Sequence, residues 1–200
     1  MSHKRTINKE TFDEIFHSFS NEYEKLNGAT ELNIYLVGGA AILLNFDYRK
    51  STMDVDALYI ESELVNKAIK NTSTQLLLVD DWLNRDFENT PSYSPNIVSK
   101  SKLLKKYGKY INVFTLEPKY LIAMKLKSSR PTGGDLNDII KMIYELRYKE
   151  IPITYEETIE AYKELYKDFS NTYDSFLAKT KAAFDTPIEE VKEIVESPTF

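Results

Sequence analysis

The sequence contains no cysteine and little histidine, tryptophan or glycine. Without cysteine the chain has neither a disulfide framework nor a thiolate metal site, which fits a reducing compartment. The two histidines, His3 and His17, follow no pattern typical of metal ligands or of a catalytic pair. We interpret both as structural or exposed, and the absences exclude disulfide scaffolds and cysteine-based zinc sites.

Long hydrophobic runs are missing as well. The longest nearly unbroken apolar run, IYLVGGAAILL, has 11 residues and two glycines, whereas a membrane-spanning helix needs about 20. The first residues, MSHKRTINKE, are basic but lack the apolar segment of a signal peptide. The sequence therefore predicts a cytoplasmic protein with no membrane partner.

Charge is unevenly distributed along this chain of 200 residues and net charge −5. Residues 1–99 carry 15 acids and 9 bases, and residues 131–200 carry 15 acids and 8 bases. Residues 100–130 carry nine Lys or Arg against one acid, Glu117. This basic band suits a phosphate-rich ligand, or it is a solvated surface; the sequence shows no DNA-specific motif.

Periodicity predicts a helix at the N-terminus, a strand–helix–strand unit, a further helix and strand, and then helices only. Three capping-box patterns, beginning at Thr11, Thr154 and Thr186, mark predicted helix starts. The predicted strands are residues 33–37, 53–60 and 109–116, and the predicted helices include 40–44, 63–70, 118–128 and 135–146.

This order predicts an α/β (α+β) fold with a C-terminal helical region. The break at Arg130-Pro-Thr-Gly-Gly134 separates a core with its N-terminal helix, residues 1–132, from the helical region, residues 133–200. Residues 71–100 give no clear prediction beyond a loop at 90–95.

Two carboxylates and a glycine pair form the most informative pattern. Side chains alternate along a strand, so Asp54 and Asp56 face the same way, about 6.6 Å apart at the backbone. Mg²⁺ is commonly held by one or two carboxylates plus substrate phosphates. Gly38-Gly39 lets the backbone approach a phosphate, and the next helix presents N–H groups at its N-terminus. Each feature alone is more often a solvated face or a turn, but the order of all three is much more specific.

The segment LVGGAAILL…YRKSTMDVDALYI resembles the core motif hG[GS]…Dh[DE]h of the nucleotidyltransferase superfamily (polymerase-β-like fold). More narrowly, it resembles the AbiEii-like branch of type IV toxin–antitoxin nucleotidyltransferases, in which an Arg and a Thr precede the acidic pair. LEPKYLIAMKLKSSRPTGGDLNDIIKMI is similar to the helix–break–helix of that branch. The resemblance covers roughly residues 33–146 and implies a small mixed β-sheet flanked by helices.

The resemblance also implies roles for individual residues. Asp54 and Asp56 would ligate Mg²⁺, or Mn²⁺, and an NTP would be the substrate. The implied catalytic residues are Asp54, Asp56, Lys125 and Asp138. The candidate nucleotide-binding residues are Gly38, Gly39, Arg49, Thr52 and Asp135, with Lys127 and Arg130 in reserve.

Several of these residues have a second interpretation. Asp135 and Asp138 lie near a predicted helix N-terminus, where the helix dipole alone favours acids. Lys125 follows Leu121 and Ile122 on one helix face, so its ammonium either reaches solvent or is held against a buried anion. Arg49 can equally be a surface loop residue, and Thr52 can brace the entry to the strand.

Two features depart from the superfamily pattern. Fourteen residues separate Gly39 from Asp54, at or beyond the long end of the pattern. The predicted strand at 111–116 offers Asn112 and Thr115 but no third carboxylate, and Asp80 or Asp81 are candidates to replace it.

We therefore predict a Mg²⁺-dependent nucleotidyltransferase that moves a nucleotidyl group from an NTP to an RNA (tRNA-like) acceptor. The resemblance implies a toxin with a cognate antitoxin protein as its partner. Two alternatives stay open: transfer to a protein hydroxyl, and a weakly catalytic module that binds a nucleotide or a partner. The missing third carboxylate motivates the second alternative.

Overall fold

The computed structural model describes residues 4–130, 132–151, 153–167 and 173–200, so His3, Pro131 and Pro152 lie outside the described residues. The chain forms two compact units. Unit 1 comprises residues 1–45, 49–88 and 97–116, and unit 2 comprises residues 46–48, 89–96 and 117–200. The predicted division after residue 132 stays a prediction, although the helix that precedes it belongs to unit 2.

Unit 1 is a mixed sheet with helices. Its helices are α1 (Lys9–Lys25), α2 (Gly38–Asn45), α3 (Glu63–Leu76) and α4 (Ile97–Lys100). Its strands are β1 (Leu32–Leu36), β2 (Val55–Leu58), β3 (Leu83–Asn84), β4 (Ser101–Tyr107) and β5 (Ile111–Leu116). The sheet order is β3-β2-β1-β5-β4; β1 pairs with β5 and β2 with β3 in parallel, and the other two pairings are antiparallel.

Unit 2 contains α5 (Pro118–Ser128), α6 (Asp135–Tyr148), α7 (Tyr155–Tyr166), α8 (Asp174–Asp185) and α9 (Ile188–Val195). The predicted mixed α/β fold with C-terminal helices is thus confirmed. All three predicted strands are present. β3 and β4 were not predicted, because β3 has two residues and β4 is mostly exposed and rich in lysine.

The predicted capping boxes have three different outcomes. The box at Thr154 is confirmed, since its side chain accepts from the Glu157 N–H. The first prediction was wrong by one turn: Asn8 caps α1, and Thr11 is its third residue. The box at Thr186 is wrong, because α9 starts after Pro187 and has no side-chain cap.

Aromatic packing joins α1 to the sheet of unit 1. Phe16 stacks on Phe12 and meets the edge of Trp82, whose indole N–H donates to the Ile69 carbonyl of α3 at 3.1 Å. Trp82 and Phe16 are fully buried. On the same side of the sheet, Asp13 of α1 accepts from Tyr107 of β4. These contacts place α1 and α3 against one face of the sheet.

A buried carboxylate organises unit 2. Glu145 of α6 accepts the backbone N–H groups of Asp47 and Tyr48 at 2.7 and 2.9 Å, and it pairs with Lys149 at 2.6 Å. Residues 46–48 are thereby held against α6. Across the described ranges, no helix combines the length and apolar character needed to cross a membrane.

Replacing Glu145 should destabilise unit 2 strongly. In Glu145→Ala, two backbone N–H groups lose their acceptor, so we expect a loss of about 2–3 kcal/mol in the free energy of unfolding. Urea denaturation followed by far-UV circular dichroism measures it. The exposed Glu193→Ala of α9 is the control and should stay within about 0.5 kcal/mol. Equal stability of the two variants would contradict the assignment.

Candidate functional site

The chain turns sharply where β1 leads into α2. Gly38 has a φ of +56°, which L side chains rarely adopt. A Cβ there would lie 2.8 Å from Oδ2 of Asp56, and one on Gly39 would lie 2.9 Å from Nη2 of Arg49. The helix predicted from residue 40 begins at Gly38. The glycines therefore form its first turn, with a carboxylate and a guanidinium directly against them.

Backbone pairing places Asp56 at this turn. The Val37 N–H donates to the Asp56 carbonyl at 3.0 Å, directly before the glycines. Asp56 lies in β2, and Asp54 lies immediately before that strand; both are half-buried. Because Oδ2 of Asp56 contacts the space where a Gly38 side chain would be, this carboxylate points toward the glycine bend.

Thr52 links Asp54 to the same turn. Its hydroxyl donates to Oδ1 of Asp54 at 3.3 Å and lies 3.2 Å from the Cβ position of Gly39. Its backbone exchanges two hydrogen bonds of 2.8 Å with Ile7. Thr52 thus braces the entry to β2 and also contacts the side chain of Asp54.

Six predicted site residues therefore lie together in unit 1, and we call them the glycine–aspartate cluster: Gly38, Gly39, Arg49, Thr52, Asp54 and Asp56. Two carboxylates and one guanidinium give a formal charge of −1. Paired carboxylates beside an N-terminal helix turn are suitable ligands for a divalent cation that also binds phosphate. The residues present therefore fit a Mg²⁺ ion.

The departure from a three-carboxylate pattern remains. In the described part of the chain, no three side chains of His, Asp or Glu assemble as a metal site. Asn112 donates to Asn33, and Thr115 accepts from Asn45. Asp80 pairs with Lys4 at 3.1 Å. Asn112, Thr115 and Asp80 thus have other contacts, and Asp81 stays a candidate.

The remaining predicted residues belong to unit 2. The Lys125 ammonium lies 2.9 Å from Asp135 and 2.8 Å from Asp138. Arg130 donates to Asp135 through its backbone N–H and its guanidinium at 2.9–3.0 Å. The Lys127 ammonium lies 5.6 Å from the ring centre of Tyr166. Of the two interpretations of Lys125, contact with a buried anion is the one observed, and Asp135 is fully buried.

A family model described as "Nucleotidyltransferase of unknown function (DUF6036)" matches residues 14–182 of the chain. The chain belongs to this family. No curated protein and no solved structure matched the chain. The predicted nucleotidyltransferase superfamily is thereby confirmed and gives the general enzyme class, and the matched residues include the glycine–aspartate cluster and the ion pairs of unit 2. The AbiEii-like branch and the individual catalytic roles stay predictions.

One residue beside the cluster of this DUF6036 nucleotidyltransferase had no predicted role. Asn84 pairs in parallel register with Asp56. Its side chain accepts the Asp86 N–H at 3.0 Å and so holds the turn after β3. The apolar Trp82-Leu83 directly before it is the signal that indicates a short buried strand.

Ion pairing lowers the pKa of the Asp135 carboxyl. Burial alone would raise the pKa of this carboxyl, but hydrogen bonds from Arg130 and Lys125 outweigh it and hold the pKa well below its usual range. A depressed folded-state pKa stabilises the fold above the unfolded pKa of about 3.9. That contribution disappears as the pH falls toward the folded-state value.

We therefore expect the stability of unit 2 to fall as the pH is lowered from about 5 to about 3. Asp135→Asn should be less stable than wild type near neutral pH by about 3 kcal/mol, since it leaves a buried lysine short of a partner. It should also depend less on pH over the acid range. Urea titrations at several pH values measure both effects, with the exposed Asp174→Asn as control. Identical pH profiles for Asp135→Asn and wild type would show that the pH dependence of stability does not come from Asp135.

Gly38→Ala should impair ligand binding at the glycine–aspartate cluster, because its methyl group would displace the Asp56 carboxylate. We expect Mg²⁺-dependent affinity for a fluorescent ATP analogue to fall about tenfold or more, as when groups that orient metal ligands are lost. Gly134→Ala is the matched control: its φ is +74°, but nothing lies within 4 Å of the added Cβ. An equal loss in both variants would point to backbone strain alone.

Proposed function

We propose that this chain is a Mg²⁺-dependent nucleotidyltransferase that transfers a nucleotidyl group from an NTP to a hydroxyl of an RNA acceptor. The observation that carries the proposal is the contact of an acidic and a basic side chain with two adjacent glycines at a helix N-terminus. The family membership supports the reaction class. Metal dependence and the acceptor are the proposed parts.

Different residues of the cluster would bind the cation and the phosphates. Asp54 and Asp56 would hold a Mg²⁺ ion, which would supply positive charge to the phosphate oxygens as charge develops there. Because Gly38 and Gly39 have no Cβ, a phosphate oxygen would reach the first N–H groups of α2 beside Asp56 and Arg49. Arg49, held over Gly39, would neutralise another phosphate oxygen.

The transfer forms one bond and breaks one. The acceptor hydroxyl oxygen bonds to the α-phosphorus, the bond from that phosphorus to the β-phosphate bridging oxygen breaks, and pyrophosphate leaves. The hydroxyl proton passes to water. Phosphoryl-type transfer depends mainly on positioning and charge neutralisation, and by analogy these are the tasks that the cluster would perform.

Electrostatics explain why NTP binding should require the metal. The cluster has a formal charge of −1 from Asp54, Asp56 and Arg49, and would therefore repel a triphosphate. A divalent cation brings the sum to +1 and reverses the sign. NTP affinity should consequently be low in EDTA.

The unit 2 residues are proposed as additional contacts to the triphosphate. Lys125 would meet it while Asp135 and Asp138 hold its ammonium group, and the guanidinium of Arg130, whose side chain is 62% exposed, would add a second positive charge. Lys127 would contact the triphosphate by leaving the ring of Tyr166. We propose that Asp138 orients Lys125, since its second oxygen accepts from Tyr48.

The narrower identity is also a proposal. The Arg49–Asp56 segment and the α5–α6 block resemble the AbiEii-like branch, and this supports a toxin with a cognate antitoxin. The basic band at residues 100–130 supports an RNA acceptor over a protein hydroxyl. The absence of a third carboxylate among the described residues favours, as the second candidate, a weakly catalytic nucleotide-binding module.

Asp54→Ala and Asp56→Ala should each lower transfer of labelled nucleotide by at least about a hundredfold, since each removes a group that stabilises charge in the reaction. Incubation with α-labelled NTPs and total RNA measures transfer, and circular dichroism checks the fold. Glu31→Gln changes an exposed acid of unit 1 and should keep full activity. Equal labelling by wild type and both Asp variants would refute the proposed site.

The acceptor class is identified from the labelled product. Nuclease treatment should release the label if RNA is the acceptor, whereas protease should leave it in high-molecular-weight material. Label that survives nuclease and is lost on proteolysis would establish the protein-hydroxyl alternative. No labelling, together with Mg²⁺-dependent NTP binding, would favour the weakly catalytic module.

A further inference from the structure

The register of the sheet in unit 1 places a continuous set of side chains on the face that carries Asp56. Residues paired across neighbouring strands point to the same side. Tyr35 pairs with Leu58, two residues beyond Asp56, and also with Phe114. In the next row, Asn33 pairs with Asn112. We call this side of the sheet the Asp56 face.

A bulge decides which lysine of β4 joins this face. Leu103 pairs with Phe114, but the register shifts after it, so that Lys105 pairs with Val113 and Lys106 with Asn112. Lys106 therefore lies on the Asp56 face. Lys105 lies on the opposite face, where it pairs with Asp13 of α1 at 2.6 Å. Without the bulge, alternation from Leu103 would have placed Lys105 on the Asp56 face and Lys106 on the opposite face.

Aromatic rings and solvent-accessible polar groups make up the middle of the Asp56 face. Tyr35 and Phe114 stack with ring centroids 4.8 Å apart, and both are half-buried. Asn33 and Lys106 are exposed, and Leu103 keeps 49% of its surface accessible. Half-exposed aromatic rings beside lysines are the pattern by which proteins bind single-stranded nucleic acid.

The sequence around Lys106 is positively charged, and of the three β4 lysines the register places Lys106 on the Asp56 face and Lys102 and Lys105 on the opposite one. From Asn89 to Leu116 the sequence contains five lysines and no Asp or Glu, in a protein of net charge −5. An antiparallel second copy pairing through β4 would bring these lysines together and is electrostatically unfavourable. A polyanion is the complementary occupant.

We propose that the Asp56 face binds the single-stranded end of the RNA acceptor. The strand runs from Lys106, across Tyr35 and Phe114, to the glycine–aspartate cluster, where its terminal hydroxyl meets the NTP. The inference rests on the proposed function and assigns its acceptor site. Lys106 contacts a phosphate, the aromatic pair contacts bases, and Asn33 offers its amide to a base edge.

The length of the face fits a strand better than a single nucleotide. Four residue steps, from Asn33 of β1 to Val37 just after it, separate the position of Lys106 from that of Asp56, about 13 Å along the strand. The sugar and phosphate of one nucleotide do not cover this distance. An acidic peptide would satisfy Lys106, but it would not use the aromatic pair.

Binding is tested without catalysis, by fluorescence anisotropy of a short labelled single-stranded RNA in EDTA and without NTP. Lys106→Gln should weaken binding about threefold or more at low salt and reduce the salt slope by about one, the result of losing one phosphate contact. Lys105→Gln removes the same charge one residue away on the opposite face and should retain most of the affinity. Equal effects of Lys106→Gln and Lys105→Gln would overturn the placement of the RNA on the Asp56 face.

The aromatic contact has its own test. Tyr35→Leu keeps an apolar side chain but removes a ring, and it should weaken RNA binding about fivefold or more. Tyr173→Leu replaces an exposed tyrosine of unit 2 as the control. An acidic polypeptide is added as competitor: displacement of the RNA by polyglutamate at equal charge would show that charge alone is recognised and would overturn the proposal.

The outcomes separate this inference from the proposed function. RNA bound equally by wild type, Lys106→Gln and Tyr35→Leu, with transfer still dependent on Asp54, would overturn the acceptor surface and leave the enzyme intact. RNA binding that depends on Lys106 without any Asp54-dependent labelling would overturn the transferase and keep the surface. Labelled protein in place of RNA would overturn the inference.

Discussion

The site depends on the close approach of the Asp56 carboxylate to the backbone at Gly38. This approach requires two conditions together: a residue without a Cβ at the start of α2, and the register of β1 with β2. Tyr35 pairs with Leu58 and Leu36 with Ala57. A slip of one residue would turn Asp56 to the side of the sheet packed with Ile34, Leu36 and Val55, where an unpaired charge is strongly disfavoured. The apolar core therefore fixes where the acidic side chains point.

The sequence was sufficient to predict those elements that show a regular local hydrophobic periodicity. Alternation over residues 53–60 predicted β2, and the order of elements predicted the mixed α/β core with terminal helices. That Asp54 and Asp56 share a side stays a prediction, because β2 begins at Val55. β4 could not be predicted in this way, because an edge strand protected by lysines lacks the apolar alternation of a covered strand. The bulge after Leu103 is likewise set by pairing with β5, which no local pattern contains. The capping error at Thr11 has a similar cause: Asn8 and Thr11 both fit a cap, and the tertiary context selects Asn8.

The ion pairs of unit 2 mark another limit of sequence reasoning. The sequence could name Lys125, Asp135 and Asp138, but their mutual contacts depend on how α5 and α6 pack. Asp135 is fully buried and satisfied by three donor groups of Lys125 and Arg130. Removing one partner of such a buried pair is costly, whereas the intact pair adds little net stability. These side chains are therefore accounted for by the packing of two helices, and any part in catalysis adds to that role.

The proposed chemistry depends on where the charged side chains lie in unit 1. Both proposed substrates are polyanions and the protein is acidic overall, so binding depends on where positive charge is local. Arg49 supplies it at the glycine bend, and Lys106 of β4 supplies it at the other end of the Asp56 face. Beside Arg49 lie two carboxylates that would attract a divalent cation and repel phosphate without it. Under the proposed function such a site would order its own assembly, because the cation would have to be present before triphosphate binding became favourable, while the RNA end would bind Lys106 at any time.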